Sequence, residues 1–286
     1  MWNVLLVILA VLILICLWVM IYDSNRFVVR EYSFADSRIQ KACRAVVLAD
    51  LHNKKYGKDN EILLDAIRAA KPDFILIAGD LLTAKKGATL DTALQLLEKL
   101  TAEYPVYYGN GNHEHRLKLY PGVYGDMAKR YAEGLKKAGV CLLVNEHTEL
   151  PQYGITIYGV EIDKLYYQRF QVQSMDTEYL KELLGGAEKS SYSILIAHNP
   201  DYFPGYAAWG ADLVLAGHVH GGIVRIPFWG KGVASPNVRF FPKYDGGKFE
   251  EDDSVMLVSR GLGIHTIPFR LFNPGELLVL DFRTEV

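Results

Sequence analysis

Three cysteines in 286 residues are too few, and too far apart, to make a disulfide framework. Cys16 lies inside an apolar run, and Cys43 and Cys141 flank hydrophobic segments, so all three read as small buried hydrophobes. An excess of charge is missing too. The net charge is −2 and the Lys/Arg clusters alternate with Asp and Glu, so no basic stripe is available to follow a phosphate backbone and no nucleic-acid partner is expected. No Pro/Gly/Ser-rich linker, repeat or low-complexity tract divides the chain. Beyond the first apolar run, about 260 residues are enough for one large α/β domain, and nothing calls for two.

One absence is local. No Lys or Arg precedes or interrupts Trp2–Tyr22, an almost wholly apolar stretch. At about 20 residues it is long enough, as a helix, to span a hydrocarbon core of ~30 Å. Trp2, Trp18 and Tyr22 sit near its ends, where amphipathic rings prefer the interface. A cleaved signal peptide would need a basic start, a shorter apolar core and a small-x-small cleavage site, and this stretch has none of them. Residues 1–22 are therefore expected to form a single-pass transmembrane anchor, 23–44 a juxtamembrane segment, and 45–286 the folded domain. Arg26, Arg30, Arg38 and Lys41 follow the span closely, and by the positive-inside rule they place the domain on the cytoplasmic side.

The rest of the chain alternates short apolar runs with helical periodicity. Ala45–Ala49 is a continuous β-rich run, as expected of a strand buried on both faces. Asp59–Ala70 follows, with Ile62, Leu63, Ala66, Ile67 and Ala70 on one helical face. Phe74–Ala78 reads as the next strand, Thr89–Leu100 as a second helix and Val106–Tyr108 as a third strand. This βαβαβ order predicts parallel neighbours joined by right-handed crossovers. Ile155–Val160, Ser193–Ala197, Leu213–Ala216, Val255–Ser259 and Leu277–Asp281 are further strands, with a helix over Thr177–Leu184. Helices become scarce after Ala216, so the late strands are expected to be antiparallel.

Five of the apolar runs stop at residues able to ligate a metal: AVVLADLH, FILIAGD, VYYGNGNHE, ILIAHNP and LVLAGHVH. In open α/β sheets ligands bind beyond the carboxyl ends of strands, so Asp50, His52, Asp80, Asn112, His198, His218 and His220 should gather at one sheet edge. Gly79, Gly111 and Gly217 immediately precede three of these residues, as a crowded centre requires. A lone D-x-H or a single strand-end histidine means little. Five such blocks in order are poorly explained by coincidence.

The blocks DLH, GD, GNHE, AHNP and GHVH resemble those of the calcineurin-like metallophosphoesterase family over roughly residues 45–222. The resemblance implies a four-layer αββα sandwich with two divalent ions at the sheet edge. Asp50, His52 and His220 would hold the first ion, Asn112, His198 and His218 the second, and Asp80 would bridge them. His113 would face the leaving-group oxygen as the catalytic acid, with Glu114 as an orienting neighbour. The chemistry agrees: paired cations can bind phosphoryl oxygens and acidify a water, and an imidazole can protonate a leaving oxygen near neutral pH. Mixed His, Asp and Asn ligands without thiolates suit Mn, Fe or Zn.

His115, His147 and His265 match no motif and read as surface or structural. Lys54, Lys55 and Lys58 follow the first ligands, and a solvated loop is the simpler reading than a phosphate contact. Arg260, after an apolar strand, could meet the same edge. Residues 202–206 (YFPGY) and 223–231 (IVRIPFWGK) follow two ligand blocks directly. They are read either as sheet-covering aromatics or as an apolar rim suited to an acyl chain or a bilayer. The segment from GHVHGG through PFRLFNPGE is also similar to a membrane-associated branch that includes UDP-2,3-diacylglucosamine pyrophosphatases. This implies a lipid-linked phosphodiester or pyrophosphate as substrate. A phosphodiesterase for soluble nucleotides and a non-catalytic scaffold are the alternatives; neither metal identity nor oligomeric state is legible.

Overall fold

The computed structural model describes residues 1–168, 173–236, 239–264 and 269–285. His265 lies outside them. The apolar run forms one helix, α1 (Trp2–Ser24), long and apolar enough to cross a membrane.

Two six-stranded sheets make the body. The first contains β1 (Phe27–Asp36), β2 (Cys43–Leu48), β3 (Phe74–Ala78), β4 (Val106–Gly109), β5 (Cys141–Leu143) and the last strand, β12 (Gly275–Thr284), in the order β1-β12-β2-β3-β4-β5. The second contains β6 (Glu146–Leu150), β7 (Ile155–Val160), β8 (Tyr192–Ala197), β9 (Leu213–Ala216), β10 (Gly247–Glu251) and β11 (Ser254–Val258), in the order β10-β11-β9-β8-β7-β6. Helices α2 (Glu61–Ala70), α3 (Asp91–Thr101), α4 (Asn112–Leu119), the single turn α5 (Pro121–Tyr124) and α6 (Met127–Ala138) precede β5; α7 (Thr177–Leu184) and α8 (Phe203–Trp209) come later.

Three apolar layers separate four layers of structure, the expected αββα sandwich. Alternate residues of each central strand point to opposite faces. Val46, Leu48, Ile75 and Ile77 pack with Leu63, Leu64 and Ile67 of α2 and Leu96, Leu97 and Leu100 of α3. Ala45, Val47, Phe74 and Leu76 instead meet Ile155, Ile157, Ile194 and Ile196 of the second sheet. Tyr158, Leu195 and Val214 pack outward against Leu180 of α7 and Phe203, Tyr206 and Trp209 of α8. Cys43 belongs to the middle layer, and burial, reinforced by the Asp73 charge, pushes its thiol up to about 12, so it behaves as a hydrophobe.

Three expectations need correcting, and one open choice is decided. Residues 23–44 are not merely a connection: Phe27–Asp36 is an edge strand paired in parallel with β12 along its whole length, so the folded body begins near residue 27 instead of 45. The late strands are mixed: β12 is antiparallel to β2 and β10 to β11, but β11 runs parallel to β9 and β12 to β1. The buried face of α2 is rotated, with Leu64 inside and Ile62 exposed. Of the two readings of the YFPGY segment, the sheet-covering one holds. Tyr202, Phe203 and Tyr206 are buried under the second sheet, where they cover it.

Candidate metal centre

Strand register decides where the polar residues meet. β2, β3 and β4 are parallel, with Leu48 opposite Ile77 and Ala78 opposite Gly109, so the loops carrying Asp50, Asp80 and Asn112 leave from one edge. Beyond the strands the ladder continues: the amides of Asp50 and His52 donate to the carbonyls of Gly79 and Asp80, each at 3.0 Å. β8 and β9 deliver His198 and His218 from the facing sheet. The His218 amide donates to both Asp50 carboxylate oxygens, at 3.0 and 3.2 Å, and ties the two edges together.

The loop backbone is strained where ligation would occur. Asp50, His52, Asp80, His218 and His220 have φ between 49° and 69°. That region costs a residue with a side chain about 1–3 kcal/mol, and such strain concentrates at functional sites. Two glycines explain how the edges approach. A Cβ on Gly111 would fall 2.2 Å from Asp80 Oδ1, and one on Gly217 would fall 2.3 Å from Asp50 Oδ2.

Six of the seven residues form two adjoining groups, and a third group, His52, Asp80 and His113, lies between them. In one, ligand atoms of Asp50, His52 and His220 lie within 4.8 Å of one another; in the other, those of Asp80, His198 and His218 do. His198 Nε2 joins them, 3.7 Å from Asp50 Oδ1 and 3.1 Å from Asp80 Oδ2. His52 Nε2 lies 3.7 Å from Asp50 Oδ1 and 3.8 Å from Asp80 Oδ2.

Three observations fit this set to metal ions. The Nδ1 atoms of His52, His198 and His220 face the carbonyls of Leu82 (3.3 Å), Ala78 (2.7 Å) and Gly263 (3.1 Å). Donation of Nδ1–H to a carbonyl fixes the tautomer whose Nε2 lone pair is open to a cation, the usual arrangement behind a ligating histidine. Nε2 of His52 and His220 meet at 3.2 Å, two atoms that a shared cation would satisfy. Asn112 Oδ1 is buried with no hydrogen-bond partner among the described residues, a cost that ligation would remove.

The electrostatics point the same way. Burial works against the Asp50 and Asp80 carboxylates, yet the imidazoles outweigh it and hold both below the ordinary range: His220, His52 and His198 around Asp50, and chiefly His198 and His113 around Asp80. Burial opposes charge on His198, but the Asp80 and Asp50 carboxylates raise it to about 10, so the site favours positive charge there.

His113 is buried at the start of α4, and its ring packs against that of His52 with centroids 4.8 Å apart. Its Nδ1 accepts from the Ala84 amide at 2.8 Å, which leaves the proton of the neutral ring on Nε2. Burial, against the pull of Asp80, lowers it to about 4.

Glu114 serves the loops. Its carboxylate accepts from the amides of Asp80 and Gly111, both at 2.9 Å, and from the Tyr108 hydroxyl at 2.7 Å. Burial and the Asp80 charge push it up to about 7.

The family model for calcineurin-like phosphoesterases matches residues 43–222, which contain all seven ligand candidates. The chain belongs to the calcineurin-like phosphoesterase family. This phosphoesterase is 25% identical over 252 residues to the uncharacterized metallophosphoesterase YkuE of Bacillus subtilis, covering 84% of this chain and 79% of that one. It is 25% identical over 260 residues to an uncharacterized metallophosphoesterase of Aquifex aeolicus, covering 89% and 91% respectively. Phosphodiesterase YaeI of Escherichia coli is 25% identical over 223 residues, covering 77% and 75%.

Other sequence candidates fall differently around the phosphoesterase site. Lys54 donates to the Ser24 carbonyl at the end of α1 (2.6 Å), so it is neither a phosphate contact nor simply solvated. Lys55 and Lys58 are exposed. Arg260 pairs with Glu276 at 3.2 Å. His147 lies on strand β6 against the Tyr158 ring, and His115 approaches Glu161 at 3.9 Å.

Two supporting residues, both in the PFRLFNPGE stretch, were given no role by the sequence. Asn273, buried, donates to the carbonyls of His220 (2.8 Å) and Ile223 (3.2 Å). Arg270, fully buried, donates to the carbonyls of Arg260, Gly261 and Gly263, and Gly263 in turn receives His220. Neither residue belongs to a periodic pattern or a strand end.

Proposed function

We propose that this phosphoesterase hydrolyses a phosphodiester or pyrophosphate bond with two divalent cations, of the Mn, Fe or Zn type. Asp50, His52 and His220 hold one, Asn112, His198 and His218 the other, and Asp80 is shared. The observation that carries this reading is the pair of adjoining ligand groups, assembled from four separate strand ends with the Nε2 atoms of His52, His198 and His220 turned inward. When bound, such a pair draws charge from the phosphoryl oxygens and acidifies water. The chain's own groups do the rest. Asp50 and Asp80 stay ionised and balance the cationic charge. His113, neutral and with Nδ1 occupied by the Ala84 amide, would present Nε2–H to the leaving oxygen and steady the charge that develops there by hydrogen bonding. The complete set, acid included, weighs against a non-catalytic scaffold.

The substrate in this reading is lipid-linked, of the UDP-2,3-diacylglucosamine kind, and α1 is an uncleaved membrane anchor with the catalytic domain on the cytoplasmic side. The end of α1 reaches the metal loop through Asn273 and Arg270: Asp23 Oδ2 accepts from the Asn273 amide at 3.0 Å, Asn273 holds the His220 carbonyl, and Ser24 Oγ accepts from the Arg270 amide at 2.8 Å. A hairpin in the same ribbon, paired to Leu271 through Val224, exposes Phe228 and Trp229, with exposed Phe240 and Phe241 nearby. Burying one such ring in an apolar phase contributes about 1.5–3 kcal/mol, enough for a few to favour a long-chain substrate.

Two results are expected. Deleting residues 1–22 should release a soluble, active protein, because Asp23 and Ser24, which bond Asn273 and Arg270, are retained; protease added to spheroplasts should spare the full-length domain. Continued sedimentation with membranes after the deletion would contradict the anchor, and digestion in spheroplasts would reverse the orientation. Replacing Phe228 and Trp229 with serine should raise KM for a long-chain lipid diester well beyond any change for a small soluble one. Equal changes would make these rings structural. Turnover of a soluble nucleotide with none of lipid diesters would favour the nucleotide reading.

A further inference from the structure

A pocket of about 270 Å³ opens beside the metal centre, between α4 and the 3₁₀ turn Lys164–Tyr167. Helical spacing builds one wall. Asn112, His115 and Arg116 stand at i, i+3 and i+4 on α4, so a helix that begins with a candidate ligand turns Arg116 to the same face one turn later. The 3₁₀ turn builds the other wall. Lys164 and Tyr167 are three apart and eclipse one another, with Asp163 capping the turn by accepting from the Leu165 amide at 2.8 Å. The Tyr167 ring meets the edge of His218, centroids 5.3 Å apart, so the pocket floor is continuous with the metal site.

The charge in this pocket is one-sided. Among the described residues no carboxylate pairs with Arg116 or Lys164; the Lys164 ammonium lies 5.9 Å from the Tyr120 ring centroid. Two carboxylates stand near His115 and both are engaged, Asp163 as the cap that accepts from the Leu165 amide. Glu161 binds Lys118 at 2.6 Å and Asn110 at 2.7 Å. An acyl chain here would desolvate two cations without compensation. A carboxylate would satisfy one of them. A phosphoryl group carries enough charge and oxygens for both, with the planar Arg116 fork suited to bidentate contact and Lys164 acting as a point charge.

We propose that this pocket is the subsite for a second phosphoryl group of the substrate, held by Arg116 and Lys164 while the scissile phosphate lies at the metal centre. The inference rests on the phosphoesterase reading and narrows it: the substrate carries two phosphates. Acyl chains, where present, lie elsewhere, on the side of the exposed aromatic hairpin.

The test uses the full-length protein in detergent micelles with Mn²⁺ and two substrates that differ by one phosphate, thymidine 5′-(p-nitrophenyl phosphate) and its 3′-phosphorylated counterpart. The wild type should prefer the 3′-phosphorylated substrate in kcat/KM by at least about tenfold. Arg116→Ala and Lys164→Ala should each reduce that preference by about tenfold, mostly through KM, the usual scale for one charge-assisted hydrogen bond. Arg116→Lys, which keeps the charge but not the fork, should retain part of it. Equal losses on both substrates, or hydrolysis of both by the wild type without preference, would overturn the subsite and leave the phosphoesterase reading intact. Hydrolysis of neither substrate would overturn both.

Discussion

Asp80→Ala should cut metal-dependent turnover of bis(p-nitrophenyl) phosphate by more than about 10²-fold. That figure is a lower bound, because even residues that only support metal ligands cost 10–100-fold when removed. Asp80 does more. Its Oδ2 lies 3.1 Å from His198 Nε2 and 3.8 Å from His52 Nε2, so it touches both ligand groups. Its Oδ1 accepts the His113 amide at 2.8 Å, which fixes the start of α4 and with it Asn112 and His113. Asp80→Asn keeps an acceptor for that amide but loses the charge, and should be nearly as inactive. If Asp80→Ala and His52→Ala both kept full activity as folded proteins, the ligand assignment would be wrong.

His113→Ala should lose about 10²–10⁴-fold in turnover of a substrate with a poor leaving group, the usual scale for general acid catalysis. The loss should be smaller with p-nitrophenolate as leaving group, since that anion departs without a proton. Metal content should be unchanged. The substitution also removes the acceptor of the buried Ala84 amide, a cost of about 1–3 kcal/mol in stability. His113→Gln, which can still offer an acceptor, separates the two effects: it should recover thermal stability without recovering turnover. Equal losses for good and poor leaving groups would argue against the acid role.

Much of this site was legible because its residues end strands buried on both faces. Ala45–Ala49 and Phe74–Ala78 are unbroken apolar runs, so the polar residue that follows each is conspicuous, and parallel register carries it to a common edge. What the sequence hid has physical reasons. The strand Phe27–Asp36 lies at a sheet edge, where one side is solvated and its alternation includes Arg30, Glu31 and Tyr32, so it reads as a charged connection. The YFPGY segment begins like a loop, with Pro204 and Gly205, yet proline is tolerated in the first turn of a helix and α8 carries those aromatics inward. Glu114 could be noticed as part of GNHE, but its hold on the Asp80 and Gly111 amides depends on how two loops approach. Arg116 and Lys164 come from elements 48 positions apart, and only the fold shows that they face one pocket.

Metal stoichiometry after reconstitution tests the central claim most directly. The full-length wild type, loaded with Mn²⁺ and freed of excess by gel filtration, should retain two ions per chain by elemental analysis. Asp80→Ala should lose at least one of them while remaining folded by circular dichroism. Retention of no metal by the wild type, or an unchanged two ions in the Asp80→Ala and His52→Ala proteins, would contradict the account.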